Sequence, residues 1–370
     1  MLEVLFVNVP DRNYPRHQRL IRYFAQRGYK ISVIDYGTVW GWAPLRPLFR
    51  GLRLIYSALT QSRRYDVVVL SEFALAYAVC SWVIARLTRA VHVVDGFVGL
   101  HETLVEDRQF IAENSVKARG LKLLDRVAFR SADIYLVDTE VRAQQARTMF
   151  GPGATVMSLP VGAPDWIQPT TATYPRPLPL QVLYYGNYVP LHGVPLLLEA
   201  IAAAAQTAEI RLTLVGAGQT RPAAEQLVRE LGISDICDFR DPVRPEALSE
   251  MIARHQVVAG VFGDSPKAQT VIANKVWQGL ASGVIVVTRR STALDEIRGL
   301  VSQSLVEVDI SDACGLAAHF VEMAGLMAHG QLAAPDTQAK SRLERYVAEE
   351  YEMLERAITS VRGPKARVSV

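Results

Sequence analysis

Short runs rich in Val, Ile and Leu recur along the chain, separated by stretches of helical periodicity, and this alternation constrains the fold more than any other feature. In the first half the runs are EVLFVNV (3–9), KISVIDY (30–36), YDVVVLSEF (65–73), AVHVVDGF (90–97), ADIYLVDT (132–139) and ATVMSLPVG (154–162). Between most of them lie amphipathic stretches such as RHQRLIRYFAQRG and TEVRAQQARTMFG, each ended by a glycine that stops a helix. Strands with little polar alternation are buried on both faces, so the pattern predicts an α/β fold with a parallel sheet covered by helices on each side.

Residues 163–180, APDWIQPTTATYPRPLPL, interrupt this rhythm. Their five prolines and three threonines cannot hold a helix or a central strand, which places an interdomain linker at 166–180. The pattern restarts with LQVLYYG (180–186), IRLTLVGAG (210–218), CDFRDPV, QVVAGVFGD (256–264), VIVVTRR (284–290) and SLVEVD (304–309). Two doubly wound domains are therefore expected, over 1–165 and 181–336, and a length of 370 residues is too great for one ordinary core. A last helical pattern follows Pro335, within 337–370. Ligands of such sheets bind at the carboxyl ends of strands, so the cleft between the domains is the expected site.

Half of the residues are hydrophobic and about a fifth charged, the balance of a folded protein. No apolar run reaches the roughly 20 residues of a membrane span, and no basic stretch precedes the first strand, so neither a span nor a secretory signal is expected. The sequence reads as cytoplasmic. Cys80, Cys237 and Cys314 have no metal-ligand spacing and are expected as buried reduced thiols. A net charge of +3 is too small to imply nucleic acid. Within residues 37–64, however, Arg46, Arg50, Arg53, Arg63 and Arg64 occur with no acid, beside Trp40, Trp42, Leu48, Phe49, Leu52 and Ile55. That composition fits an interfacial helix on an anionic membrane surface, at the inner face of the membrane for a cytoplasmic chain. It also fits a helix packed on the sheet with a solvated face.

Three turns carry candidate chemistry. In LYYGNYVPLHGVPLLLEAI (183–201), Gly186 and Gly193 would let backbone approach a ligand, and the helix that follows offers unpaired amides to an anion. LVGAGQ (214–219), with Gly216 and Gly218, is a second such turn; both also read as ordinary strand-to-helix connections. SPKAQTVIANKVWQGLASG (265–283) holds Lys267, Asn274 and Lys275 and no carboxylate, which makes it a cationic strand-to-helix junction suited to an anion. Lys267 would equally serve as solvated surface. On the N-terminal side, NVPDRNYPRHQ places Arg16 and His17 near a strand end, and VVDGFVGLHETLVEDR does the same for Asp95, His101 and Glu102. Asp95 is the candidate for orienting a hydroxyl, or else a turn or capping residue. No Asp-x-Asp pair or carboxylate cluster suggests a metal site.

The succession GNYVPLHGVPLLLEAI, LTLVGAGQ and AGVFGDSPKAQTVIANKVWQGLASGVIVVTRRSTALDEI resembles the C-terminal domain of retaining glycosyltransferases of family 4, which have the GT-B fold. YPRHQRLIRYFAQRGYKISVID is similar to the first helix and second strand of a bacterial subgroup. The resemblance is strong over 183–297 and weaker before 163. It implies two facing Rossmann-like domains with the site in the cleft and the last helix crossing back to the N-terminal domain. It also implies a nucleotide-diphosphate sugar donor, a glycan or lipid-linked acceptor, and neither cofactor nor obligatory metal. Arg16, His17, His101 and Glu102 would lie on the acceptor or phosphate side. The family's basic pair falls on Asn187 and His192, and its two glutamates fall on Thr270 and Gln278, so both acids are absent. Lys267 and Lys275 would flank the leaving diphosphate, with Asn274 opening a helix whose amides point the same way. Two alternatives stay open: a non-catalytic glycosyltransferase-like subunit, consistent with the missing acids, and a nucleotide-sugar epimerase, which would need cleft carboxylates that the C-terminal half lacks.

Overall fold

Glu3–Val7 (β1) lies second from one edge of a six-stranded, wholly parallel sheet, with Lys30–Ile34 (β2) on one side and Val67–Leu70 (β3) on the other. A computed structural model describes residues 2–9, 14–35, 46–62, 64–171, 179–309 and 312–362. The chain divides into two units, Met1–Val161 with Val347–Val370, and Gly162–Tyr346.

In unit 1 the remaining strands are Val91–Asp95 (β4), Ile134–Val137 (β5) and Thr155–Ser158 (β6), and the order is β2-β1-β3-β4-β5-β6. The helices between them are Pro15–Gln26 (α1), Arg46–Gln61 (α2), Ala78–Thr88 (α3), Val116–Ser131 (α4) and Glu140–Phe150 (α5). Valines and isoleucines fill both faces of the central strands, as their unalternating sequence requires: Val4, Leu5, Phe6 and Val7 of β1 and Val67–Leu70 of β3 are inaccessible to solvent. Thr139 caps α5 by accepting from the Arg142 amide, and Ser115 caps α4 by accepting from the Ala118 amide.

Unit 2 repeats the plan with the order β12-β11-β10-β7-β8-β9. Its strands are Leu180–Tyr185 (β7), Ile210–Val215 (β8), Cys237–Arg240 (β9), Val257–Ala259 (β10), Ile285–Arg289 (β11) and Leu305–Val308 (β12). Its helices are Val194–Ala204 (α6), Arg221–Glu230 (α7), Pro245–Arg254 (α8), Asn274–Ser282 (α9), Asp295–Val301 (α10) and Ala313–His329 (α11). The last helix, Ala339–Arg362 (α12), contributes its residues from Val347 to unit 1, where Tyr351 meets Tyr23 edge-on and Glu355 accepts from the Tyr23 hydroxyl at 3.2 Å. Helix α9 can lie close on the sheet because Gly279 faces Val286: a β-carbon there would sit 2.6 Å from the valine Cγ2.

Two expectations need adjustment. The three cysteines are free, but Cys314 is exposed and Cys80 and Cys237 are only half-buried, because Cys80 sits in the contact between α2 and α3 and not in the core. Residues 46–61 of the basic window form helix α2, packed through Leu54 and Ala58 while Leu48, Phe49 and Leu52 face solvent. Trp40, Trp42, Arg63 and residues 172–178 of the expected linker lie outside the described residues. No helix among the described residues is long and apolar enough to cross a membrane.

Candidate functional site

The strand order of unit 2 reverses between β7 and β10, since the chain runs from β7 outward through β8 and β9 and returns to the other side of β7. At such a switch point the connections leaving adjacent strands diverge and open a crevice at the carboxyl ends. Gly186, directly after β7, occupies that position with φ 135°. A β-carbon on Gly186 would lie 3.3 Å from Cε1 of His192 and 3.7 Å from Nζ of Lys275, so an imidazole and an amine flank one point above the strand.

Lys275 is the second residue of α9 and is nearly inaccessible, yet its ammonium has no hydrogen-bond partner among the described residues. It lies 4.0 Å from the ring centre of Tyr184, whose hydroxyl is 2.9 Å from Nδ1 of His192. Tyr184 thus seats the lysine on its face and holds the histidine at its edge. Burial pushes the Lys275 amine well below its ordinary range. The cap position of α9 is Ala273, which has no side-chain acceptor for the first amides of the helix. An uncapped helix start, a buried amine without an acceptor and an imidazole together form a receptor for an anion.

The glycines of the two turns also let backbone pack on backbone. A β-carbon on Gly216 would fall 2.0 Å from the Gly186 carbonyl oxygen, one on Gly218 would fall 2.5 Å from the Tyr188 nitrogen, and one on Gly193 would fall 2.4 Å from the Phe262 carbonyl carbon. Backbone packs on backbone at each position, and this close approach fixes the shape of the crevice floor. Asn187 is exposed, with its carbonyl accepting from the Tyr184 hydroxyl at 3.3 Å. Thr270 is buried and turned back on its own chain, donating to the Lys267 carbonyl at 3.2 Å. Asn274 opens α9, Gln278 is buried one turn along it, and Lys267 is half-buried in the preceding short turn, Pro266–Gln269.

On unit 1, Arg16 and Asp95, expected to face a ligand, face each other. Both are completely buried, with Nε of Arg16 donating to Oδ1 at 3.0 Å and Oδ2 at 2.7 Å. The guanidinium also donates to the carbonyls of Leu159 and Val137, and the Phe97 amide donates to Asp95 Oδ1 at 3.1 Å. A buried arginine requires this many acceptors, so its side chain ties β4, β5 and β6 together. His17 is likewise buried, edge-on to Phe6 and 3.9 Å from a Glu72 oxygen. His101 pairs with Glu106 at 3.0 Å, and Glu102 takes both Nη atoms of Arg142, at 2.8 and 2.9 Å. Each of these groups thus has a partner within unit 1.

Some features had no sequence signal. Tyr184 reads as a strand residue, and only the geometry reveals it beneath Lys275. Phe73, after β3, is exposed in a left-handed conformation with φ 66°, edge-on to Tyr14. Such a conformation is strained for an aromatic residue and is found at functional loops. One strand over from β10, a cavity of about 860 Å³ is lined by Gln269, Arg289, Ser291, Thr292 and Arg298 among others.

Solved structures of the same architecture exist. The sucrose-phosphate synthase of Thermosynechococcus elongatus superposes with a TM-score of 0.71 at 14% identity, covering 96% of this chain and 98% of that one. The Anabaena protein HepE, in complex with UDP and glucose, does so with a TM-score of 0.67 at 14% identity, covering 97% and 100%. The fold is GT-B. Within unit 2 of this GT-B chain, residues 179–324 match the family model for glycosyl transferases group 1. A segment of 111 residues is 32% identical to the MMP alpha-(1->4)-mannosyltransferase of Mycolicibacterium hassiacum, and spans 30% of this chain and 26% of that protein. Residues 179–324 are thus similar to group 1 glycosyl transferases.

Proposed function

We propose that the protein is a retaining, metal-independent hexosyltransferase that moves a sugar from a nucleotide-diphosphate donor to a hydroxyl of a glycan or lipid-linked acceptor. The observation that carries this reading is Lys275, a buried amine without an acceptor at the switch point of unit 2, beside Gly186 and the uncapped start of α9. When the anomeric bond breaks, negative charge accumulates on the leaving diphosphate. A fixed amine and helix amides in a water-poor crevice stabilise that charge without reorganising. The His192 ring flanks the same point, and as an imidazolium it donates to a second phosphate oxygen. With no carboxylate at Thr270 or Gln278, attack from the same face as the leaving group, with a phosphate oxygen taking the acceptor proton, asks least of the residues present. UDP and glucose, bound in the HepE structure, support a nucleotide sugar as donor.

Thermal shift with UDP, GDP and ADP, each against its nucleoside, tests the reading. At least one diphosphate should raise the melting temperature where its nucleoside does not. If none does, the missing acids would decide for the non-catalytic subunit.

A further inference from the structure

Helix α3 packs between α2 and α4, so the three form one continuous layer over unit 1. Their outer surface combines two properties that a solvated surface rarely shares. On α2, Leu48, Phe49, Leu52 and Tyr56 are exposed, Tyr56 to 71%. On α3, Val79, Trp82 and Leu87 are exposed at positions that fall on one side of the helix, Leu87 to 61%, and α4 adds Leu123. The same three helices carry nine arginines and lysines and a single acid, Asp125, which is buried and accepts from the amides of Leu100 and His101. Seven of the cations are exposed: Arg53 on α2, Arg86 on α3, and Lys117, Arg119, Lys122, Arg126 and Arg130 on α4. Arg86 pairs with Asp133 at 3.1 Å.

We propose that the α2–α3–α4 face docks on a lipid bilayer with an anionic surface. Exposed aliphatic and aromatic side chains enter the interface between headgroups and acyl chains, and the arginine and lysine stems extend to the phosphates around them. The charge is complementary, because the layer presents no exposed acid to repel anionic headgroups. The apolar residues are spread over three helices, and a fluid surface accommodates such a spread without the shape matching that a protein partner needs. The surface extends well beyond the basic window of the sequence, since most of its exposed cations lie on α4. It is independent of the donor chemistry, which belongs to unit 2.

The full chain should co-sediment with phosphatidylcholine vesicles that contain a third phosphatidylglycerol, and not with phosphatidylcholine alone. Binding should fall with added salt. The combined substitution Lys117→Glu, Arg119→Glu, Lys122→Glu should reduce binding by about a hundredfold or more, since each basic residue near the surface counts for roughly fivefold. Leu52→Glu with Leu87→Glu should abolish the quenching of protein fluorescence by brominated acyl chains, and Trp82→Phe should reduce it. All these positions are exposed, so circular dichroism should stay unchanged. Equal sedimentation with both vesicle types, or none with either, overturns the proposal. So does self-association of the unmodified chain in ultracentrifugation that the Leu52/Leu87 substitution abolishes, because the face would then be an interface between copies.

Discussion

The ammonium of Lys275 lies 4.0 Å from the ring centre of Tyr184, and no hydrogen-bond acceptor reaches it among the described residues. A buried amine that meets only an aromatic face costs the fold stability, since it must either be desolvated as a cation or give up its proton, and its retention indicates a ligand that supplies the missing acceptor. Lys275→Met keeps the side-chain volume and removes the amine. It should raise stability by about 1 kcal/mol or more, read as a higher melting temperature. The same variant should bind nucleotide diphosphates at least about tenfold more weakly, with nucleoside binding unchanged. A destabilised variant with intact diphosphate affinity would assign Lys275 to packing alone.

Proton uptake on ligand binding follows from the same burial. The Lys275 amine is held well below its ordinary value by desolvation, whereas a diphosphate placed beside it favours the charged form. Binding above the unliganded pKa should therefore draw a proton from the buffer. Calorimetric titration of a diphosphate in two buffers of different ionisation enthalpy should give different apparent enthalpies, and Lys275→Met should remove the difference. For the unliganded fold the sign is fixed: between the depressed value and the ordinary one, the unfolded chain binds a proton that the folded chain does not. Stability should decline as pH falls through that window.

Much of this architecture is legible in the chain. The Val- and Ile-rich runs mark strands buried on both faces, as β1, β3 and β4 are, and the proline cluster after Val161 coincides with the start of unit 2. The anion site was legible only in part. Lys275 and Asn274 stand out because acids are absent around them, but the depth of Lys275 depends on Tyr184, and a tyrosine in a strand carries no mark of what lies over its ring. Asp95 shows the opposite problem. A carboxylate at a strand end looks the same in sequence whether it faces a substrate or an arginine from a helix 79 positions away.

Asp95→Ala tests that distinction. Removing one partner of a buried pair leaves the Arg16 guanidinium without its main counter-ion, which typically costs about 3–5 kcal/mol. The variant should melt far earlier than the parent, and Arg16→Met combined with Asp95→Asn should recover a large part of the loss, because the two effects are not additive. A variant with parental stability that has lost only activity would return Asp95 to the reacting groups.

His92, in the centre of unit 1, should make the fold sensitive to mild acid. Its Nδ1 lies 2.8 Å from the Ser131 carbonyl, which can only accept, so Nδ1 carries the proton and Nε2 is left to accept from the Ser81 hydroxyl at 2.8 Å. The ring is thus satisfied in its neutral form, and burial pushes its pKa down to about 4 from an ordinary 6.5. Because the folded value is depressed, the unfolded chain binds a proton that the folded chain refuses between those two values. Stability should therefore fall as pH drops from 6.5 toward 4 and level off below, by an amount on the order of 3 kcal/mol. Asp125 and Asp138, whose carboxyls are pushed up by burial, slope the other way over part of this range, so the comparison must be between the parent and His92→Gln. Chemical denaturation at a series of pH values should show the stability difference between the two shifting in favour of the variant as the medium is acidified. A difference that stays constant from neutral pH to 4 would mean that the imidazole accepts its second proton inside the fold.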